Sequence, residues 1–291
     1  MVSPFNDPEP TNERQTASRA LAPRLALPVA FALLWTLFIT AALWFGLSLV
    51  FTAFGQGAND IVLLGVTQVA VYALVIAAFG AVFRRPLREL LALRPAALNV
   101  CLASLALGAA LQIPATLLSD LVEHFFPLPP SVLAERMARI TPHSTAHGIA
   151  IFVVVAGLGP CVEELFFRGA LFGALRRGQG ALVTIAVVSL CFALGHLDLR
   201  LFLPLLVAAF VIGEVRASSG SLWPGLLLHA AFNAATLAVV FSGGAPAGKT
   251  PPMPAFLAIS GCASSAGLFV LVRTLALSSA LAQNARRSDV L

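Results

Sequence analysis

The chain has 291 residues, 59% of them hydrophobic and only 11% charged, with a mean hydropathy of +0.92. That usage excludes an ordinary soluble domain and places the chain among integral membrane proteins. The formal charge of +5 is spread over loops. It fits arginines set at helix ends and implies no nucleic-acid role.

Residues 1–24 are polar and proline-bearing, a flexible cytoplasmic tail on which no fold is forced. Apolar runs then follow, each near the roughly 20 residues that cross a hydrocarbon core of about 30 Å. Backbone groups in lipid must be satisfied within the segment, so these runs are expected to be helices, and the alternation of a membrane barrel is absent. Eight spans are expected, at 25–53, 60–83, 97–118, 147–174, 181–197, 199–216, 222–241 and 254–276. The fold class is therefore an all-α polytopic membrane helix bundle.

The first run is too long for a signal-peptide core and lacks a clear cleavage site, so it is expected to be retained. The first three spans fall in an N-terminal unit, 25–118, and residues 119–146 form an extracytoplasmic connector with an amphipathic piece near 131–140. Residues 147–241 hold the chemically interesting groups, and 242–291 supply a Gly/Pro loop, a last span and a cytoplasmic tail. The fifth and sixth spans are short and joined only by "LDLR", which predicts a turn sunk below the membrane surface.

Charge asymmetry orients the chain. With the N-terminus inside, Arg14, Arg19, Arg24, Arg84, Arg85, Arg88, Arg94, Arg176, Arg177, Arg216, Arg286 and Arg287 are cytoplasmic, whereas the opposite loops hold Arg136, Arg139, Arg200 and Lys249. Both termini are then cytoplasmic, and the expected location is a bacterial inner membrane. Cys101, Cys161, Cys191 and Cys262 lie in apolar runs without metal-type pairing and read as small core residues.

Ionisable residues within spans are costly, and each is a functional hypothesis by default. Here they are Glu163, Glu164 and Arg168 in span four, His196 at the end of span five, and His229 in span seven with Asn233 one turn on. Glu164 and Arg168, four apart, share a helix face and can pair. Glu163 points about 100° away, which leaves it as the working carboxylate. A carboxylate, two imidazoles and an amide converging in an apolar bundle can activate water and stabilise the oxyanion of an attacked carbonyl. The product is peptide hydrolysis within the membrane.

The stretches "EELFFR", "FALGH" and "HAAFN" resemble the EExxxR, FxxxH and HxxxN motifs of the CPBP intramembrane proteases, the group that includes the Ras-converting CaaX endopeptidases. All three occur in order, across roughly 145–240. The resemblance implies a glutamic endopeptidase in which Glu163 and His196 activate water, His229 and Asn233 stabilise the oxyanion, and Glu164 and Arg168 support the first motif. It also implies a membrane-associated protein or peptide as substrate, whether prenylated, leader-bearing or carrying a C-terminal sorting tag. One point is awkward: His196 lies about 22 Å along its span and His229 about 11 Å along its own, at 1.5 Å per residue.

No cofactor is expected. Glu163, His196 and His229 also form a zinc set, but a local pair such as HExxH is missing and the residues can work without metal. Two other classes compete with the protease. A proton-coupled transporter could use the same groups as a relay, but it is disfavoured by the missing internal repeat and by the lack of polar groups in spans one to three. A catalytically idle scaffold or immunity protein would keep the motifs for structure alone.

Overall fold

The computed structural model describes residues 28–54, 61–83, 87–243 and 253–288, and among them every regular element is a helix. They are α1 (Val29–Phe54), α2 (Ile61–Phe83), a single turn α3 (Leu87–Leu90), α4 (Leu98–Ala110), α5 (Gln112–Phe125), α6 (Pro130–Ile140), α7 (Thr145–Leu175), α8 (Ala181–Gly195), α9 (Leu199–Ser219), α10 (Trp223–Phe241) and α11 (Ala255–Ser288). With α4 and α5 counted as one run, seven helices among the described residues are long and apolar enough to cross a membrane, and α8 is a shorter eighth. The protein is a polytopic helical membrane protein. The expected N-terminal tail and residues 244–252 of the Gly/Pro loop lie outside the described residues.

The third span continues as helix to Phe125, past the expected limit at 118, and the last reaches Ser288. The α4–α5 break has a local cause. Pro114 has no N–H and its ring crowds the carbonyl four residues back, that of Ala110, where α4 stops. That carbonyl accepts a 2.9 Å hydrogen bond from Ser265 Oγ on α11.

α7 is the central element, and its path is irregular. Two π-helical stretches, Val153–Leu158 and Leu165–Leu171, flank a short α-helical piece, Gly159–Glu164. In the first, the Gly159 N–H bonds Val154 O, five residues back, and so bypasses Val155 O. The next residue, Pro160, has no N–H to offer, which leaves the Val155 carbonyl without a partner inside its own helix. In the second, the Phe172 N–H reaches Phe167 O and bypasses Arg168 O. Both carbonyls are taken by side chains from other helices: Asn233 Nδ2 of α10 donates to Val155 O at 2.8 Å, and Arg216 Nε of α9 donates to Arg168 O at 3.0 Å. π-Helical turns of this kind concentrate at functional sites.

Around α7, Phe166, Phe167, Leu171 and Leu175 pack with α1, α2 and α8 into the larger core, while α4, α9, α10 and α11 form a second. Missing side chains set two close approaches. A Cβ on Gly108 of α4 would overlap the Leu228 carbonyl of α10, and one on Gly65 of α2 would come within 2.8 Å of Val154 Cγ2 on α7. Gly169 and Gly173 play the same part against Leu91 and Leu90, as expected of small residues between membrane helices. A Cβ on Gly195 would meet Thr40 Oγ1 at 3.5 Å, an ordinary contact.

Candidate active site

The six residues singled out in the sequence do not all meet at one point, but they form one connected cluster along the inner face of α7. Glu164 and Arg168 make the i, i+4 pair at 2.9 Å, both with fully buried side chains, and the arginine also donates to Ala209 O at 3.0 Å. Burying two charges is tolerable when they are paired and further hydrogen-bonded, which this geometry provides in part, since Glu164 Oε2 and Arg168 Nε are buried without a partner among the described residues. The guanidinium also lies over the Phe192 ring, 4.6 Å from its centroid.

His229 joins the two glutamates. Its Nδ1 lies 2.9 Å from Glu164 Oε1 and its Nε2 3.9 Å from Glu163 Oε2. An ionised carboxylate only accepts, so Nδ1 carries the proton and Nε2 faces Glu163. Glu164 is thus more than a partner for Arg168, because it also sets the orientation of the imidazole.

His196 follows the last residue of α8. Its Nδ1 is 2.9 Å from Phe192 O, and since a carbonyl only accepts, Nδ1–H is the donor and Nε2 is left as an acceptor. The Phe192 ring lies 4.8 Å from the His196 ring and 5.6 Å from that of His229, a spacer between the imidazoles as well as packing.

α8 is the shortest of the apolar helices that carry the cluster. The helix has 15 residues, and the turn after it is tied to the connector: Arg136 of α6 pairs with Asp198, and Arg200 Nε donates to Phe126 O at 2.8 Å. Arg136 and Arg200 therefore lie at the same end of the bundle. Arg216, counted with the cytoplasmic arginines, is buried, with its guanidinium 5.0 Å over Phe172.

A cavity of about 430 Å³ opens beside the cluster, lined by Glu163, Phe192, His196, His229 and Asn233. Apart from Gln68 its remaining wall is apolar and includes Trp44 and Leu47 of α1 and Leu64 of α2. Glu163, with its side chain 14% exposed, is the carboxylate that reaches it, whereas Glu164 is sealed. Among the described residues no group of three or more His, Cys, Asp or Glu side chains is placed to hold a metal ion. The cysteines are unpaired.

One polar contact escaped the sequence analysis. Gln68 of α2 donates from Nε2 to Glu163 Oε1 at 2.8 Å, so the second span does carry a polar group into the site. A signal was present: Gln68 falls on the stripe Gly65, Tyr72, Val75 and Phe79, spaced by threes and fours and buried against α7.

Residues 145–235 match the family model described as Rce1-like, type II CAAX prenyl endopeptidase. That stretch, about a third of the chain, is similar to the CPBP/CaaX proteases. The matched segment runs from the first turn of α7 into α10 and contains all six residues of the cluster, whereas Gln68 and the α1 wall of the cavity lie before it. No curated protein and no solved structure matches the chain. The family that this segment matches is one of endopeptidases.

Proposed function

We propose that the protein hydrolyses a peptide bond of a membrane-associated protein or peptide with a water activated by Glu163. The observation that carries this reading is the division of labour between adjacent carboxylates. Glu164 is sealed against Arg168 and His229, while Glu163 faces a cavity that also holds His196 and Asn233.

The chemistry follows from the acceptors and donors available. A water between Glu163 Oε2 and His196 Nε2 gives one O–H to each, which turns its lone pair toward a substrate carbonyl carbon. Attack forms the C–O bond and moves one water proton to Glu163. That proton passes to the leaving nitrogen as the C–N bond breaks, leaving a carboxylic acid and an amine. General acid–base transfer of this kind is worth about 100- to 10,000-fold in rate. The oxyanion is met by Asn233, whose second amide proton is free of the Val155 bond, and by His229, whose Nε2 donates in the imidazolium form. A preorganised donor of this type contributes about 3–4 kcal/mol.

The apolar lining suits a substrate that brings a lipid-like or hydrophobic segment, and the reading does not require a metal. The arginine-rich loops support an orientation with both termini in the cytoplasm of a bacterial inner membrane. The test compares peptide termini in membranes of cells carrying the wild-type chain or only Glu163→Gln. Uncleaved precursors accumulating in the variant are the expected result, and unchanged termini with a stably inserted variant would refute the proposal.

A further inference from the structure

We infer that Gln68 is a positioning residue whose amide decides which oxygen of Glu163 meets the water; this rests on the reading of Glu163 as the water-activating group. A carboxylate has two equivalent oxygens and a soft terminal torsion, so one that opens on a cavity has no preferred working oxygen by itself. Gln68 Nε2 takes Oε1 at 2.8 Å, and Oε2 is the oxygen that faces His229 Nε2 at 3.9 Å.

The contact is built into the helix packing. Gly65, one turn before Gln68, lets α2 approach α7 until a Cβ would collide with Val154. Gln68 then lies against the bare backbone of Gly159, where even a Cβ would be only 3.5 Å from its Oε1. Tyr72, one turn further on, packs on Phe166 with ring centroids 6.0 Å apart and fixes the rotation of α2 about its axis. The chemistry suits the task as well. An amide donates a hydrogen bond without bringing a formal charge, so it restrains the carboxylate without neutralising it, as a second arginine would.

Two measurements on the full chain in detergent or liposomes test this. The first is a thermal-unfolding cycle over wild type, Gln68→Leu, Glu163→Leu and the double variant, which needs no substrate. The expected result is a non-additive shift in midpoint, and an additive one overturns the inference. The second is steady-state cleavage of a farnesylated, fluorescence-quenched peptide ending in a CaaX sequence. Gln68→Leu, and Gln68→Glu of equal length but without an N–H, are both expected to lower kcat on the order of 100-fold with KM unchanged. A raised KM with unchanged kcat, or no kinetic effect, overturns the positioning role. Failure of the wild-type protein to cut the peptide, together with unchanged termini in the Glu163→Gln membranes, removes the reading beneath it even if the thermal cycle is non-additive.

Discussion

Asn233 on α10 donates a side-chain hydrogen bond to the carbonyl of Val155 on α7, 2.8 Å away, and it does so because Pro160 leaves that carbonyl without a partner in its own helix. A residue that aims an amide at the cavity is thereby also what closes the backbone of the central helix. The first π-helical stretch, the proline and the asparagine form one unit.

That unit predicts a rescue. Asn233→Leu should cost about 1 kcal/mol through the lost hydrogen bond to a partly buried carbonyl. Adding Pro160→Ala supplies an N–H five residues after Val155 and should recover part of the loss in thermal-unfolding midpoint without restoring cleavage. A double variant no more stable than Asn233→Leu alone would mean that the proline is not the cause.

Arg168→Met should be among the most damaging single changes in the protein. It leaves Glu164 fully buried with only His229 as partner and removes the donor to Ala209 O, at a cost of about 3–5 kcal/mol. Pairing it with Glu164→Gln should recover much of the folded yield, measured as monodisperse protein after extraction. Equal yields for the single and double variants would argue against an uncompensated charge as the source of the damage.

Gly108→Val touches no site residue, yet it should lower cleavage together with stability. The added side chain meets the Leu228 carbonyl and must push α4 and α10 apart, and His229 is the next residue on α10. Gly157→Ala, where a Cβ meets nothing within 4 Å, is the matched control and should unfold within about 1 kcal/mol of wild type. Cleavage and unfolding midpoint measured side by side distinguish the two.

Chelation addresses the zinc alternative directly. With Glu163 as the base, cleavage of the farnesylated peptide should survive dialysis against a strong chelator with rate unchanged. A loss restored by added zinc would move Glu163, His196 and His229 into a metal centre.

Much of this was legible from residue order alone, for a physical reason. Lipid allows few backbone solutions, so apolar length dictates helices, and the cost of burying charge makes Glu163, Glu164, Arg168, His196 and His229 conspicuous against their surroundings. Helical spacing also separates Glu163 from the Glu164–Arg168 pair, because i and i+4 share a face while neighbours do not. What tertiary structure decided are contacts between residues far apart in the chain. Gln68 and Glu163 are 95 positions apart, and Gln68, uncharged within an apolar helix, carries no mark of its partner. The bond from His229 to Glu164 spans 65 positions and assigns the buried glutamate a second task that its spacing to Arg168 cannot reveal. Arg216 looks like one more loop-end charge until α9 packs on α7 and a π-helical turn presents it with a free carbonyl. Local periodicity fixes which way a side chain points, whereas which partner it meets depends on how closely glycines allow the helices to approach, and that is a property of the assembled bundle.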